Sequence, residues 1–467
     1  MVSAPAGQAR RRLLFRRELG DLLRLATPII LSQLGQIGMN TADTVMVGPL
    51  GALPLAAVGV GSAIHMVALT MGMGIIVGMG PLVSQAYGAG DQLLCRRVLV
   101  QGGWLSVALT LPLAGIHLYG EEIALLLGQQ PDVAAVAGDY LAALLPGILP
   151  IFLFLAFRQF LEGMGTTTPP MVITLVALAI NVAANRVFIY GVEGWVPAMG
   201  AVGTGWATSV VRWCMLLLML AYVLRRADLH PFRGVPRRPD RALFARILRV
   251  GTPIGAQFGL EVGLFAFAAV MMGWLGAVEL AAHQVTINIA ATTFMVSLGV
   301  SLAGAIRVGQ CIGARRPRMM RRSVQATYVL AVAFMAACAL LFVAVPEALV
   351  RLYTPDEEIV ALGSTLLLVA ALFQVFDGAQ VAGVSVLRGA GDTRLPMLIA
   401  GVGYWVVGLP VGIYLGFVAD LGPVGVWLGL SAGLAVVAVV VAARVRHILW
   451  GPPERLGALR ASAPTLD

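Results

Sequence analysis

The sequence predicts an all-α polytopic membrane protein, with twelve transmembrane helices arranged as two six-helix parallel repeats. Three observations carry this. Hydrophobic residues make up 59% of the 467 positions and charged residues only 12%, with a mean hydropathy of +0.88. A soluble domain carries about a quarter charged residues, because its surface must stay in water. The apolar residues fall in stretches of about 20, the length that crosses a bilayer as a helix, without the ten-residue alternation of a membrane barrel. Finally, the chain aligns with itself.

In order, the spans are expected near 25–47, 54–80, 98–118, 133–157, 170–190 and 199–224, then near 246–272, 278–305, 323–345, 359–386, 396–418 and 422–446. The domain reading follows: segment 1–21, first lobe 22–224, polar linker 225–245, second lobe 246–447 and tail 448–467. The first apolar segment is too long for a signal-peptide core and is kept as a mature helix. The net charge of +9 does not indicate nucleic acid, because the basic residues, all Arg, lie between apolar runs. They gather at Arg10, Arg11, Arg12, Arg16, Arg17 and Arg24, at Arg96 and Arg97, in the linker, at Arg315 to Arg322 and in the tail. The alternate loops hold Glu121, Glu122, Glu193, Glu279, Glu347 and Asp420, with Arg351 as their one Arg. The positive-inside rule then places both termini and the linker in the cytoplasm. Cys95, Cys214, Cys311 and Cys338 have neither disulfide nor metal-ligand spacing.

A shift of 225 residues aligns 24–64 with 249–289 without a gap, with sixteen identities, and pairs 83–97 with 308–322; a shift of 226 pairs 161–171 with 387–397. Six spans return the chain to its starting side, so the halves are parallel repeats about an axis along the membrane normal. Glycines recur every fourth residue at Gly251, Gly255, Gly259 and Gly263 and at Gly425, Gly429 and Gly433, the spacing at which helix backbones approach closely in lipid. Pro146, Pro150 and Pro410 mark expected kinks.

Three carboxylates stand inside spans: Asp43, Glu261 and Asp377. Charge in hydrocarbon is costly, so intramembrane acids mark ion or substrate routes unless an Arg neutralises them. They are not repeat equivalents, since Glu261 aligns with Gln36, Asp43 with Ala268 and Asp377 with Ile151. Arg212 is a candidate partner for Asp43, while Arg186 either snorkels outward or pairs with Asp139. Gln33, Gln36, Asn40, Asn181, Asn185, His283, Gln284, Asn288, Gln374 and Gln380 are polar residues suited either to a cavity or to joining helices. Phe258 and Phe373 are aromatics suited to an organic ligand or to the core. His65 reads as packing. No phosphate-binding loop or metal helix is present, and Gly-x-Ser-x-Gly at 429–433 lies within a span rather than on a strand-to-helix turn, so no enzyme is indicated.

Taken in order, ATPIILSQ (26–33), ADTVMVGPLG (42–51), NVAANRVFIYG (181–191), GAVGTGWATSVV (200–211), AAHQVTINI (281–289), FDGAQVAGVSVLRGAGDT (376–393) and the paired QAYGAG and QCIGAR loops resemble the multidrug and toxic compound extrusion (MATE) transporters, nearest the bacterial NorM-like branch. The resemblance runs from Leu22 to about Arg444. It implies two lobes forming a V-shaped bundle around a central cavity in the inner membrane. It also implies an antiporter that exports organic, cationic compounds against entry of Na⁺ or H⁺, with no other cofactor and no nucleic-acid partner, as a monomer. It places Glu261 and Asp377 at the second-lobe cation site, where Na⁺ is a candidate ligand, and Asp43 with Asn181 and Asn185 at the first-lobe site. Gln36, Asn40, His283, Gln284, Phe258 and Phe373 are its supporting residues. Arg186 and Arg212 depart from the uncharged residues expected there, and Phe373 lacks a hydroxyl. The competing readings are a lipid-linked saccharide flippase, a major-facilitator transporter and, less favoured, a membrane-embedded enzyme.

Overall fold

In a computed structural model, residues 4–226 and 233–451 are described, the first eight of them as helix backbone only. Arg10, Arg11, part of the linker and nearly all of the tail 448–467 lie outside the described side chains. Twelve long helices form the chain: α1 (Ala4–Val47), α2 (Ala52–Gly88), α3 (Gln92–Leu118), α4 (Pro131–Gly163), α5 (Thr168–Tyr190), α6 (Gly200–Arg225), α7 (Arg241–Leu275), α8 (Ala277–Gly313), α9 (Pro317–Ala344), α10 (Glu357–Ala390), α11 (Arg394–Val418) and α12 (Gly422–Leu449). Eleven of them, α2 to α12, are apolar enough over a sufficient length to cross a membrane among the described residues. α1 is long enough but carries Gln33, Gln36, Asn40 and Asp43 along its C-terminal half. No β-strand occurs among the described residues, only a single bridge between Val192 and Val196. The protein is therefore an all-α, multi-pass membrane protein.

The proline kinks take particular forms. A 3-10 turn at Leu145–Gly147 interrupts α4 beside Pro146. α11 widens into π-helix over Val402–Gly408 and Tyr414–Val418, on both sides of the short α-helical stretch that contains Pro410. Pro removes a backbone donor, and the freed carbonyls are met by such local adjustments in a membrane.

Contacts divide the chain into two compact units. One holds Leu31–Tyr87 and Asp91–Gly255, hence most of α2 to α6, the second part of α1 and the start of α7. Its core centres on Phe152, Phe154, Phe160, Met79 and Leu105, and Leu243 and Ile247 of α7 join it. Gly74 and Gly78 of α2 meet Gly255 and Gly251 of α7 backbone to backbone: a Cβ on Gly74 would lie 2.5 Å from Gly255 Cα. The other unit holds the chain up to Ile30, Gly88–Gly90 and everything from Ala256 onward, with Trp427, Tyr404 and Phe342 deepest in it. Leu22, Ala26 and Ile29 of α1 pack there against Val300, Ala303 and Ile306 of α8. Each repeat's first helix thus divides its length between the two units. In the second unit Arg307 holds Glu18 at 2.9 Å, and Ser323 donates to the same carboxylate at 2.6 Å.

The visible linker is tied to α3. Arg97 pairs with Asp240 at 2.8 Å, Gln101 bonds Arg238 O and Asp240 N, and Trp104 donates to Arg237 O at 2.9 Å. Donation from the Leu243 backbone N–H, then from Arg97, holds the Asp240 carboxyl below its ordinary value of 3.8. The stability this contributes is complete above that value and is lost as pH falls through the lowered one. The pair is partly exposed, and such pairs contribute up to about 1 kcal/mol. Asp240→Asn should therefore speed limited trypsin cleavage in the linker about two- to fivefold at neutral pH. An unchanged cleavage rate would show that the Gln101 and Trp104 bonds hold the linker alone.

Candidate functional site

The first group lies in the unit that begins at Leu31. Asp43, near the C-terminal end of α1, is half-buried. Its Oδ1 accepts from Asn181 Nδ2 at 3.0 Å and from Asn185 Nδ2 at 2.6 Å, and Thr208 Oγ1 stands 3.5 Å from Oδ2. Asn181 and Asn185 are one helical turn apart on α5 and wholly buried, so both amides present to one point on α1. Three neutral donors make a polar seat for a carboxylate without cancelling its charge. Arg212 of α6 is within electrostatic range of Asp43, yet no ion pair joins them. Its Nη2 instead lies 2.9 Å from His65 Nε2, and His65 Nδ1 lies 2.7 Å from His117 Nε2. His65 is thus part of a polar chain, not packing.

The same unit contains a self-neutralised pair. Arg158 and Glu162, one turn apart on α4 and each only 4% exposed, bond at 2.6 Å, and Arg158 also donates to Gln33 at 3.0 Å. Arg186 lies over the Tyr190 ring at 5.1 Å, and no ion pair joins it to Asp139 among the described residues. An open depression of about 1180 Å³ is lined by Arg186, Tyr190 and the loop from Gly191 to Ala198, and none of the three acids lines it.

The second group lies in the unit from Ala256 onward. Asp377 of α10 is 5% exposed and within electrostatic range of Glu261 of α7, which is itself in range of Arg388. Arg388 donates to Gln257 Oε1 at 3.1 Å and lies over the Phe258 ring at 4.8 Å, so its bonds are made to α7 without an ion pair to either acid. Tyr404 of α11, 1% exposed, is in range of both acids and of Arg388. The two carboxylates thus share one phenol, and the guanidinium is in range of Glu261. No cluster of three metal-ligating His, Cys, Asp or Glu side chains occurs among the described residues.

The supporting residues separate by environment. Phe373 is buried edge-on between Phe265 and Trp427, at 6.3 and 5.8 Å. His283 is buried against Trp427 at 5.7 Å, and its Nδ1 has no hydrogen-bond partner. Gln374 donates to Thr293 Oγ1. Gln36 is half-buried, whereas Asn40, Gln284 and Asn288 are exposed. Sequence reasoning passed over Arg388 and the Arg158–Glu162 pair, and gave Tyr404 only as an aromatic for a ligand or the core. The repeat itself contained a signal, because the 226-residue shift sets Arg388 opposite Glu162.

A duplicated bundle of membrane helices with acids inside its spans defines a membrane transporter. The MatE family model matches residues 28–187 and 253–414. A probable multidrug resistance protein NorM of Bradyrhizobium diazoefficiens is 38% identical over 437 residues, covering 92% of this chain and 94% of that protein. The multidrug resistance protein MdtK of Edwardsiella ictaluri is 35% identical, covering 92% and 96%. The crystal structure of the eukaryotic MATE transporter AtDTX14 superposes with a TM-score of 0.87 over 96% of this chain and 99% of that one, at 21% identity. The chain belongs to the MatE (MATE) family, and it is a transporter and not an enzyme.

Proposed function

We propose that this transporter is a cation-coupled antiporter of the bacterial inner membrane that exports small organic cations by alternating access, driven by entry of Na⁺ or H⁺. One observation carries the reading: Asp43, Glu261 and Asp377 sit within spans, and none is ion-paired among the described residues. A carboxylate in a low-dielectric cavity takes a proton, a metal cation or an organic cation as its partner. In this reading Glu261 and Asp377 bind the coupling ion, Na⁺ included. Asp43, with Asn181 and Asn185, binds the ion or the substrate, and entry of one cation displaces the other. The relatives' names as multidrug resistance proteins support export of drug-like compounds. The two halves, 22–224 and 246–447, act as the lobes, with both termini and the linker cytoplasmic, in a monomer. Arg158 is neutralised by Glu162, while Arg212 lies in range of Asp43 and Arg388 in range of Glu261; this balance is unlike the cationic cavity that a lipid-linked saccharide flippase needs.

The test is efflux of a cationic dye from proteoliposomes under separately imposed sodium and pH gradients. One gradient is expected to speed efflux at least tenfold over a gradient-free control. Equal rates under both gradients and under none would reject coupled antiport.

A further inference from the structure

Arg212 makes an unusual choice of partner. An ionised carboxylate and a guanidinium in reach of each other ordinarily close into a short, charge-assisted pair. Here the carboxylate of Asp43 accepts from Asn181, Asn185 and Thr208, and the guanidinium bonds a neutral imidazole. Donor chemistry fixes every proton in the chain behind it. Arginine only donates, so His65 Nε2 accepts. A neutral His65 then carries its proton on Nδ1 and donates to His117 Nε2 at 2.7 Å. His117 in turn donates from Nδ1 to the Leu113 carbonyl at 2.7 Å. The end carbonyl can only accept, so the order cannot reverse. A proton added to either imidazole would have to break a bond of this chain. The two rings stand edge to face, 5.0 Å apart, 7% and 1% exposed.

The surroundings fit a held arginine. Its Nη1 is buried with no hydrogen-bond partner in the described structure, and Tyr140 and Asp43 stand within electrostatic range. Gly147, at the 3-10 break in α4, makes room for the stem: a Cβ there would lie 3.0 Å from Arg212 Cδ.

We propose that His65, locked by His117, tethers Arg212 away from Asp43, and that the tethered guanidinium is a positioning residue that competes with the cation Asp43 binds. The second half of the statement rests on Asp43 being a cation-binding acid; the first does not. Freed from His65, Arg212 closes on Asp43 and silences it. Removed altogether, it leaves Asp43 to bind cations more tightly.

Two readouts on the purified full-length protein separate these parts. The first is dicyclohexylcarbodiimide labelling of Asp43, followed by mass spectrometry. His65→Leu should slow labelling at least tenfold, and His65→Leu with Arg212→Gln should restore the wild-type rate. Unslowed labelling in His65→Leu overturns the tether, as does slowing that persists without Arg212, since His65 would then act through the fold. The second is equilibrium binding of tetraphenylphosphonium. Arg212→Gln should bind it at least fivefold more tightly than wild type, and His65→Leu at least fivefold more weakly. Equal or weaker binding in Arg212→Gln overturns the competition, and this variant stands alone if His65→Leu fails to fold. Wild-type binding in Asp43→Asn removes Asp43 from substrate binding, while the labelling cycle still decides the tether.

Discussion

In the Asp377→Asn variant, gradient-driven accumulation of a cationic dye in everted vesicles falls about fiftyfold, while the protein still inserts and purifies as one species. Asp377 is in range of Glu261, and Glu261 of one guanidinium, Arg388, which donates to Gln257 and lies over the Phe258 ring. With both acids ionised the group lacks one positive charge, which in the proposed mechanism the coupling cation supplies. An amide at 377 keeps the shape of the side chain and removes the deficit, so no cation is needed for the helices to bury the group. Each charge moved through 100 mV carries about 2.3 kcal/mol, a factor of about fifty in accumulation, and that driving force is lost with the site. Glu261→Gln should lose coupling as fully, because the net charge of the group with Arg388 then reaches zero without a cation. Accumulation within twofold of wild type in either variant, measured under whichever gradient drives the parent protein, would remove this pair from coupling. Arg388→Gln gives the opposite sign: one more net negative charge, with cation binding retained or tightened.

The bundle was legible because hydropathy and length report spans directly, and a gapless internal alignment needs no knowledge of neighbours. α2 to α12 follow from composition, and α1 escaped it only through the polar residues that matter most, Gln33 to Asp43. The three acids were legible for the same reason: a carboxylate in an apolar run is visible without coordinates. What each acid faces was not. Arg212 and Asp43 are 169 positions apart in the chain, and nothing in either span says that His65 intervenes. Helical spacing shows which residues share a face, but the rotation of that face is set by packing against other helices. Arg158 and Glu162 were the exception, one turn apart and therefore able to pair on any helix, yet in an apolar span they drew no notice. The spacing of the glycine rows marks close backbone approach but not which helix is approached. In the structure the row on α7 is divided, with Gly251 and Gly255 on α2 and Gly263 against Trp405 of α11.

Gly433→Val should disrupt folding more than any substitution at the polar sites. The row Gly425, Gly429 and Gly433 on α12 faces α11 where α11 is widest. A Cβ on Gly433 would stand 2.8 Å from Gly403 O and 3.0 Å from Gly408 Cα, both of them backbone atoms, while a Cβ on Gly408 would come 3.1 Å from Gly433 Cα in return. Backbone cannot swing aside as a side-chain tip can, so α11 and α12 must separate along the whole contact. In lipid no hydrophobic drive holds helices together, and close packing of small residues is the main source of their association. The lost contact adds to the overpacking cost, which is about 3 kcal/mol for a crowded core position. A loss of that size lowers the folded fraction about a hundredfold at the wild-type midpoint. It is read as the surviving monodisperse peak after heating in detergent. Gly103→Ala is the matched control, since Gly103 also lies inside a span but a Cβ there meets only Leu153 Cδ2 at 4.0 Å, an ordinary contact. Wild-type survival of Gly433→Val would mean that α11 yields at its π-helical turns, and the glycine row would then serve movement of α11 against α12 instead of their static packing.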